Sequence, residues 1–190
     1  MTNWILNGLS SSSLCQKALF PGTSIKTFVT KYGTTNALPV CLLGLASLES
    51  LFLSGNELTG SLPDGSSSSS SSSSNNSEMA GSLLYLDLSH NRLTGTIPMM
   101  FQERVWSQLD LSFNLLGGTL SSSMYSFGVR GSSLKLDRNR LSGSVPSSLL
   151  EAESINILDG NLFSCNFDSS ALPEHDPSVD NYSCGSDTTN

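Results

Sequence analysis

The 190-residue chain is predicted to be an α/β solenoid, a coil of short parallel strands in which each turn is one copy of a sequence unit. Three observations predict it. Residues 83–98 read LLYLDLSHNRLTGTIP, with apolar side chains at Leu83, Leu86, Leu88, Leu93 and Ile97. That spacing suits neither one amphipathic helix nor one long strand. Leu86 and Leu88 alternate as a strand does; Asn91 then interrupts the run, and Gly95 and Pro98 punctuate the residues after it. The second observation is that the unit recurs. The third is its period: Asn91, Asn114, Asn139 and Asn161 succeed one another at 23, 25 and 22 residues. The step of 35 from Asn56 to Asn91 is longer because it holds the serine run Ser66–Ser74. A fixed period of this size marks stacked turns.

Each copy can be taken in order. Leu48, Leu51, Leu53, Asn56, Leu58, Gly60, Leu62 and Pro63 match every key position of the unit. The copy around Asn114 runs through Trp106, Leu109, Leu111, Leu116, Gly118 and Leu120, with Ser121 in the proline slot. Around Asn139 stand Leu134, Leu136, Leu141, Gly143, Val145 and Pro146, with Gly131 in the first leucine slot. A degenerate copy centres on Asn161, with Leu158 before it, Phe163 after it and Cys165 in the glycine slot. A worn copy is expected before Leu48. Counting back from Leu38-Pro39 puts Thr27 and Val29 in its strand slots and Tyr32 in the asparagine slot.

The leucines at strand slots are expected to point inward, because successive strand side chains alternate faces. One turn cannot bury that face alone, so stacked turns share one core. Asn56, Asn91, Asn114, Asn139 and Asn161 are the structural asparagines, placed where the chain leaves the strand. A carboxamide both donates and accepts, so these residues can satisfy the backbone groups stranded there. Met99, Met100, Phe101, Val105 and Trp106 are read as core filling.

The pattern L-x-x-L-x-L-x-x-N-x-L-x-G-x-I-P identifies a leucine-rich repeat, and from about Leu38 to Cys184 the chain resembles the plant-type class of that family. The resemblance implies a curved right-handed coil with a parallel sheet on its concave face and irregular or 3-10 segments on its convex face. It also implies a module that binds proteins, peptides or glycans, usually outside the cell. The stretch after Asn156 is similar to the cysteine-closed C-terminal caps of plant-type ectodomains, and a disulfide between Cys165 and Cys184 is expected there. No bond is expected between Cys15 and Cys41.

The predicted layout is an irregular segment over 1–24, repeats over 25–164 with a flexible serine-rich insertion at 65–77, and a cap over 165–190. A net charge of −7 with only nine Lys and Arg argues against nucleic acid as a partner. No apolar run reaches the roughly 18 residues of a membrane span, so a membrane-spanning form would need further sequence. The start, MTNWILNGLSSSSLCQK, lacks a basic n-region. A fragment of a longer extracellular or cell-surface protein is the expectation, with a cytoplasmic protein as the alternative. Asn75 and Asn181 fit the glycosylation tripeptide.

No nucleophile elbow, metal-ligand spacing, P-loop or dinucleotide motif is present. No cofactor, no metal and no catalysis are expected. Asp87 and Asp110 occupy equivalent slots of adjacent repeats, and a solvated face explains them better than a paired-carboxylate enzyme. The candidate binding surface is the outward half of the strands: Phe52, Tyr85, Asp87, His90, Gln108, Asp110, Phe113, Lys135, Asp137 and Arg138. The predicted function is a non-catalytic binding module of a receptor-like protein. A secreted inhibitor of a cell-wall-degrading enzyme and a structural surface protein are the alternatives.

Overall fold

A computed structural model describes residues 3–5, 27–29, 36–38, 42–64, 79, 81–124, 127, 131–165 and 171–184. The serine run, Asn75, Tyr32, Cys15 and Cys41 lie outside them. The main sheet has seven strands, all parallel. In chain order they are β1 (Asn3–Ile5), β2 (Thr27–Val29), β4 (Ser50–Phe52), β6 (Tyr85–Asp87), β8 (Gln108–Asp110), β10 (Ser133–Lys135) and β12 (Ile155–Asn156). Leu51, Leu86, Leu109 and Leu134 stand opposite one another. These four, with Leu53, Leu88, Leu111 and Leu136, are wholly buried. The leucine pattern therefore builds one apolar stack running through the coil, with the sheet on its concave side. Helix is limited to α1 (Met99–Gln102), to 3-10 turns at Ser147–Leu149 and Val179–Asn181, and to a 3-10 residue at Leu42 among the described residues.

The second half of each unit forms a second ladder. Strands β3 (Asn36–Ala37), β5 (Leu58–Ser61) and β7 (Arg92–Thr94) make one parallel sheet. Strands β9 (Gly117–Thr119), β11 (Arg140–Ser144) and β13 (Leu162–Ser164) make another, and the bridge Thr96–Gly117 joins the two. Exposed hydroxyls at Thr59, Ser61, Thr94, Thr96, Thr119 and Ser144 line this ledge. The unit's glycine is required here. At Gly118 the backbone φ is +82°, and an added Cβ would lie 2.8 Å from the Thr96 methyl.

The asparagines bind turn to turn. The Asn91 carboxamide oxygen accepts from Asn56 N–H (3.0 Å) and Leu58 N–H (2.9 Å), and its nitrogen donates to Leu53 O, Leu88 O and Ser89 O. Asn114, Asn139 and Asn161 accept in the same way from Leu93, Leu116 and Leu141. Each also donates back to a carbonyl of the preceding turn, Leu88, Leu111 and Leu136 respectively.

The degenerate positions carry their own compensation. A serine at 121 exposes an N–H that proline lacks, and the buried Gln102 accepts it at 2.6 Å while donating to Ile97 O. Where Gly131 replaces the first leucine, Phe127 is buried in the core instead, and Ser132 Oγ donates to its carbonyl.

Two alignments read from sequence are corrected by register. Phe28, not Thr27 or Val29, stands opposite Leu51, because the worn turn is one residue shorter between its strand and Leu38. In the last turn Ile155 stands opposite Leu134, so Ile157 takes the second leucine slot and Leu158 is an extra residue. Asn161 consequently donates four residues back, to Ile157 O, where the others reach three. Residues 3–5, read as part of an irregular segment, form the strand β1. Met99 and Val105, read as core filling, are 47% and 54% exposed, whereas Phe101 and Trp106 are buried. In the short α1 turn only one side faces the core, and Phe101 and Gln102 take it.

The open end of the coil is closed by two side chains. The Asp176 carboxylate accepts from Ile157 N–H (2.6 Å) and Leu158 N–H (3.1 Å), which no further strand would receive. Tyr182 OH donates to Asn161 O and Phe163 O at the edge of the second ladder. Cys165 and Cys184 are disulfide-bonded and hold this cap to the last turn. A loop of that size contributes roughly 3 kcal/mol in the chain-entropy picture.

Candidate functional site

The outward side chains of the main sheet fall into rows set by strand register. One row is Phe52, Asp87, Asp110, Lys135 and Asn156; another is Ser50, Tyr85, Gln108 and Ser133. Tyr85 is 40% exposed, and Lys135 projects above the row with its ammonium 3.5 Å from Asp110.

The aspartates are not solvated as their position suggests. Asp110 and Asp137 are each only 6% exposed. Asp110 accepts from Ser112 N–H and Ser112 Oγ, and Asp87 accepts in the same way from Ser89. An aspartate two residues before a serine closes a local turn. That geometry folds the carboxylate down onto the backbone and makes it a turn lock. Burial lifts the Asp137 carboxyl above the ordinary carboxylate range. The Asp110 and Asp159 charges reinforce this, against a backbone hydrogen bond and Arg138.

A further row runs along the sheet's edge, at the residue before each asparagine. There the backbone enters the left-handed region in all five described asparagine turns: Gly55 at φ +68°, His90, Phe113 and Arg138 at +53°, and Gly160 at +71°. Glycine suits such a position without penalty. A side chain there costs about 1–3 kcal/mol, so three successive turns carry strain to present His90, Phe113 and Arg138. The three stack. The His90 and Phe113 rings lie 4.1 Å apart and 16° from parallel, and the Arg138 guanidinium sits 5.2 Å from the Phe113 centroid. Asp159 pairs with Arg138 at 3.0 Å. Gly160 leaves the space this needs, since a Cβ there would lie 2.9 Å from Arg138 Cα.

The comparisons with known proteins agree with this frame. The family described as Leucine Rich Repeat matches residues 47–69 and 82–103. Receptor-like protein 35 of Arabidopsis thaliana is 32% identical over 134 residues, covering 70% of this chain and 13% of that protein. The chain belongs to the plant-type leucine-rich repeat family. Among solved structures of this class, the plant peptide hormone receptor RGFR1 in complex with RGF2 superposes with a TM-score of 0.58 at 26% identity. It covers 76% of this chain and 22% of that one. A plant ice-binding protein superposes equally well, with a TM-score of 0.58, 25% identity, and coverage of 77% and 44%. The chain thus spans less than half the length of each.

Within the repeat frame, strand alternation accounts for the outward positions of Phe52, Tyr85, Gln108 and Lys135. Three features of the surface escape that reasoning. The left-handed backbone row has a sequence signal only at Gly55 and Gly160, which stand where His90, Phe113 and Arg138 stand in other turns. Asp176 shows none beyond its place in the cap. Asn156 is hidden by the extra residue of the last turn.

Asp137 yields a pH test. Its folded-state affinity for a proton exceeds that of the unfolded chain, so its ionisation works against folding at neutral pH. Asp137→Asn is expected to raise the melting temperature at pH 7. The gain should shrink as the pH falls into the range where Asp137 is protonated in both states. Equal melting temperatures at pH 7, or a gain that grows on acidification, would contradict this.

Proposed function

We propose that the chain is a non-catalytic binding module of a receptor-like protein, which takes a peptide or a protein segment along the stacked row His90–Phe113–Arg138 beside Tyr85. The supporting observation is the strained stack. The asparagine turn demands a left-handed residue that glycine would meet freely, and three neighbouring turns meet it instead with side chains that aim two rings and a guanidinium outward. Aromatic and arginine side chains are the usual anchors of protein interfaces. A relative named as a peptide hormone receptor is consistent with that class of ligand. An extracellular or cell-surface setting belongs to the same reading. The Cys165–Cys184 bond suits an oxidising compartment, and Asn181 of the glycosylation tripeptide is exposed in the cap.

The test separates binding from folding. Phe113→Gly removes the anchor and also relieves the left-handed strain, so the variant should fold at least as stably as the parent. Peptides selected from a displayed random library on the parent chain should bind Phe113→Gly at least about tenfold more weakly, the loss of one interface anchor. Equal binding, or no selectable peptide, would overturn the proposal.

A second reading rests on the hydroxyl ledge. Its threonines and serines repeat at the strand spacing of about 4.8 Å, a regular array suited to ordered water, and one relative is named as an ice-binding protein. This reading expects the chain to shape ice crystals and to show thermal hysteresis, both lost in Thr96→Arg/Thr119→Arg. A parent chain without hysteresis would refute it.

A further inference from the structure

The stack His90–Phe113–Arg138 ends differently on its two sides. Gly160, in the turn after Arg138, is closed in: a Cβ there would lie 2.9 Å from Arg138 Cα and 3.2 Å from its Cγ. Gly55, in the turn before His90, is open: a Cβ there would meet no atom within 4 Å. Packing therefore demands glycine at 160 but not at 55. The left-handed backbone does not demand it either, since the same turn holds a histidine, a phenylalanine and an arginine in the next three repeats. Register places Gly55 directly in line with the stack, because Leu51 stands opposite Leu86 and Gly55 N–H donates to Ser89 O. The missing side chain leaves a gap one strand spacing wide, about 4.8 Å, in front of an exposed ring. One face of the His90 imidazole lies on Phe113. Among the described residues no other ring, ion pair or hydrogen bond engages that side chain.

We infer that the gap over Gly55 receives an aromatic side chain of a bound peptide, which lies flat on the free face of His90 and extends the stack by one ring. The inference rests on the reading of the ridge as a peptide-binding surface and names the ligand residue that the ridge takes. The chain's own stack sets the geometry. Its flat groups follow one another at 4.1 Å and 5.2 Å, and a ring in the next position continues that series at a separation suited to ring pairs. Charge favours a neutral group. Glu57 and Arg92 lie two residues beyond Gly55 and His90, within about 7 Å along the chain, and pair with each other at 4.0 Å. A ligand carboxylate at the gap approaches Glu57. A guanidinium approaches Arg92 and adds a second cation to a stack that already ends in Arg138. An aromatic ring meets neither repulsion, and it gains contact with an imidazole face that is otherwise left to water.

The experiment takes the tightest peptide selected on the parent chain and replaces each of its residues in turn by alanine. One aromatic position should stand out, with a loss of about threefold to tenfold, the size of one ring-on-ring contact. Gly55→His puts the chain's own imidazole into the gap, in the turn geometry that His90 already holds, and should weaken the unaltered peptide by a similar factor. The peptide lacking that ring should bind the parent chain and Gly55→His alike, which places ring and gap in one contact. A direct reading needs no variant of the chain, and it decides the matter if Gly55→His does not fold. The imidazole C–H resonances of His90 should move upfield when the unaltered peptide binds, and should show no upfield shift with the ring-less one. Binding that depends on Phe113 but is indifferent to Gly55→His, or that leaves the His90 resonances unmoved, overturns the gap and leaves the binding module standing. Coupling of Gly55→His to an arginine or a carboxylate of the peptide, rather than to a ring, does the same. No selectable peptide overturns the binding module and the gap with it.

Discussion

Each turn of this coil leaves backbone groups that only its neighbour can satisfy, and the buried asparagine is the part that does so. Asn114 is typical. It accepts from the amide of Leu93 in the turn before, and donates both to that turn, at Leu88 O, and to its own, at Leu111 O and Ser112 O. Without it, buried polar groups in two turns would lose partners, at about 1–3 kcal/mol for each orphaned group. The leucine stack supplies the apolar burial, but burial alone is not directional. The carboxamides set the register in which the leucines meet.

The same constraint explains the cap. A ladder that relies on the next turn must end, and at the end the next turn is absent. Here an acidic side chain and a phenol replace it. Asp176 takes the two amides at the end of β12, and Tyr182 serves the last carbonyls of the second ladder. Covering an edge in this way also removes a template for pairing with other chains. The disulfide anchors the segment that carries both residues.

The constraint reaches the binding face as well. The asparagine turn forces the residue before it into the left-handed region, and five turns meet that demand in two ways. Gly55 and Gly160 accept it freely; His90, Phe113 and Arg138 accept it under strain and stack on one another. The middle of the sheet thereby gains a rigid aromatic and cationic ridge, flanked by glycine at either end. Shared architecture does not choose among ligands, since a peptide hormone receptor and an ice-binding protein superpose on this chain equally well. Surface rows such as this one distinguish them.

Most of the coil was legible in the sequence, because leucine, asparagine and glycine each recur for a separate physical reason and their slots reinforce one another. The positions Leu51 to Leu136 and the outward rows between them come from alternation alone. Register was lost by one residue at both ends. Phe28 and Ile155 sit in turns whose loop lengths differ, and no single landmark residue reports a change in length. The burial of Asp110 and Asp137 was illegible because it depends on how the neighbouring backbone folds back. The ridge was hidden because a backbone angle, not a residue type, defines it. Hydrogen exchange on Asn114→Ala tests the central claim most directly. The account predicts that the Leu93 amide loses protection while that of Leu141, held by Asn161, keeps it. Unchanged protection at Leu93, or an equal loss at both amides, would contradict it.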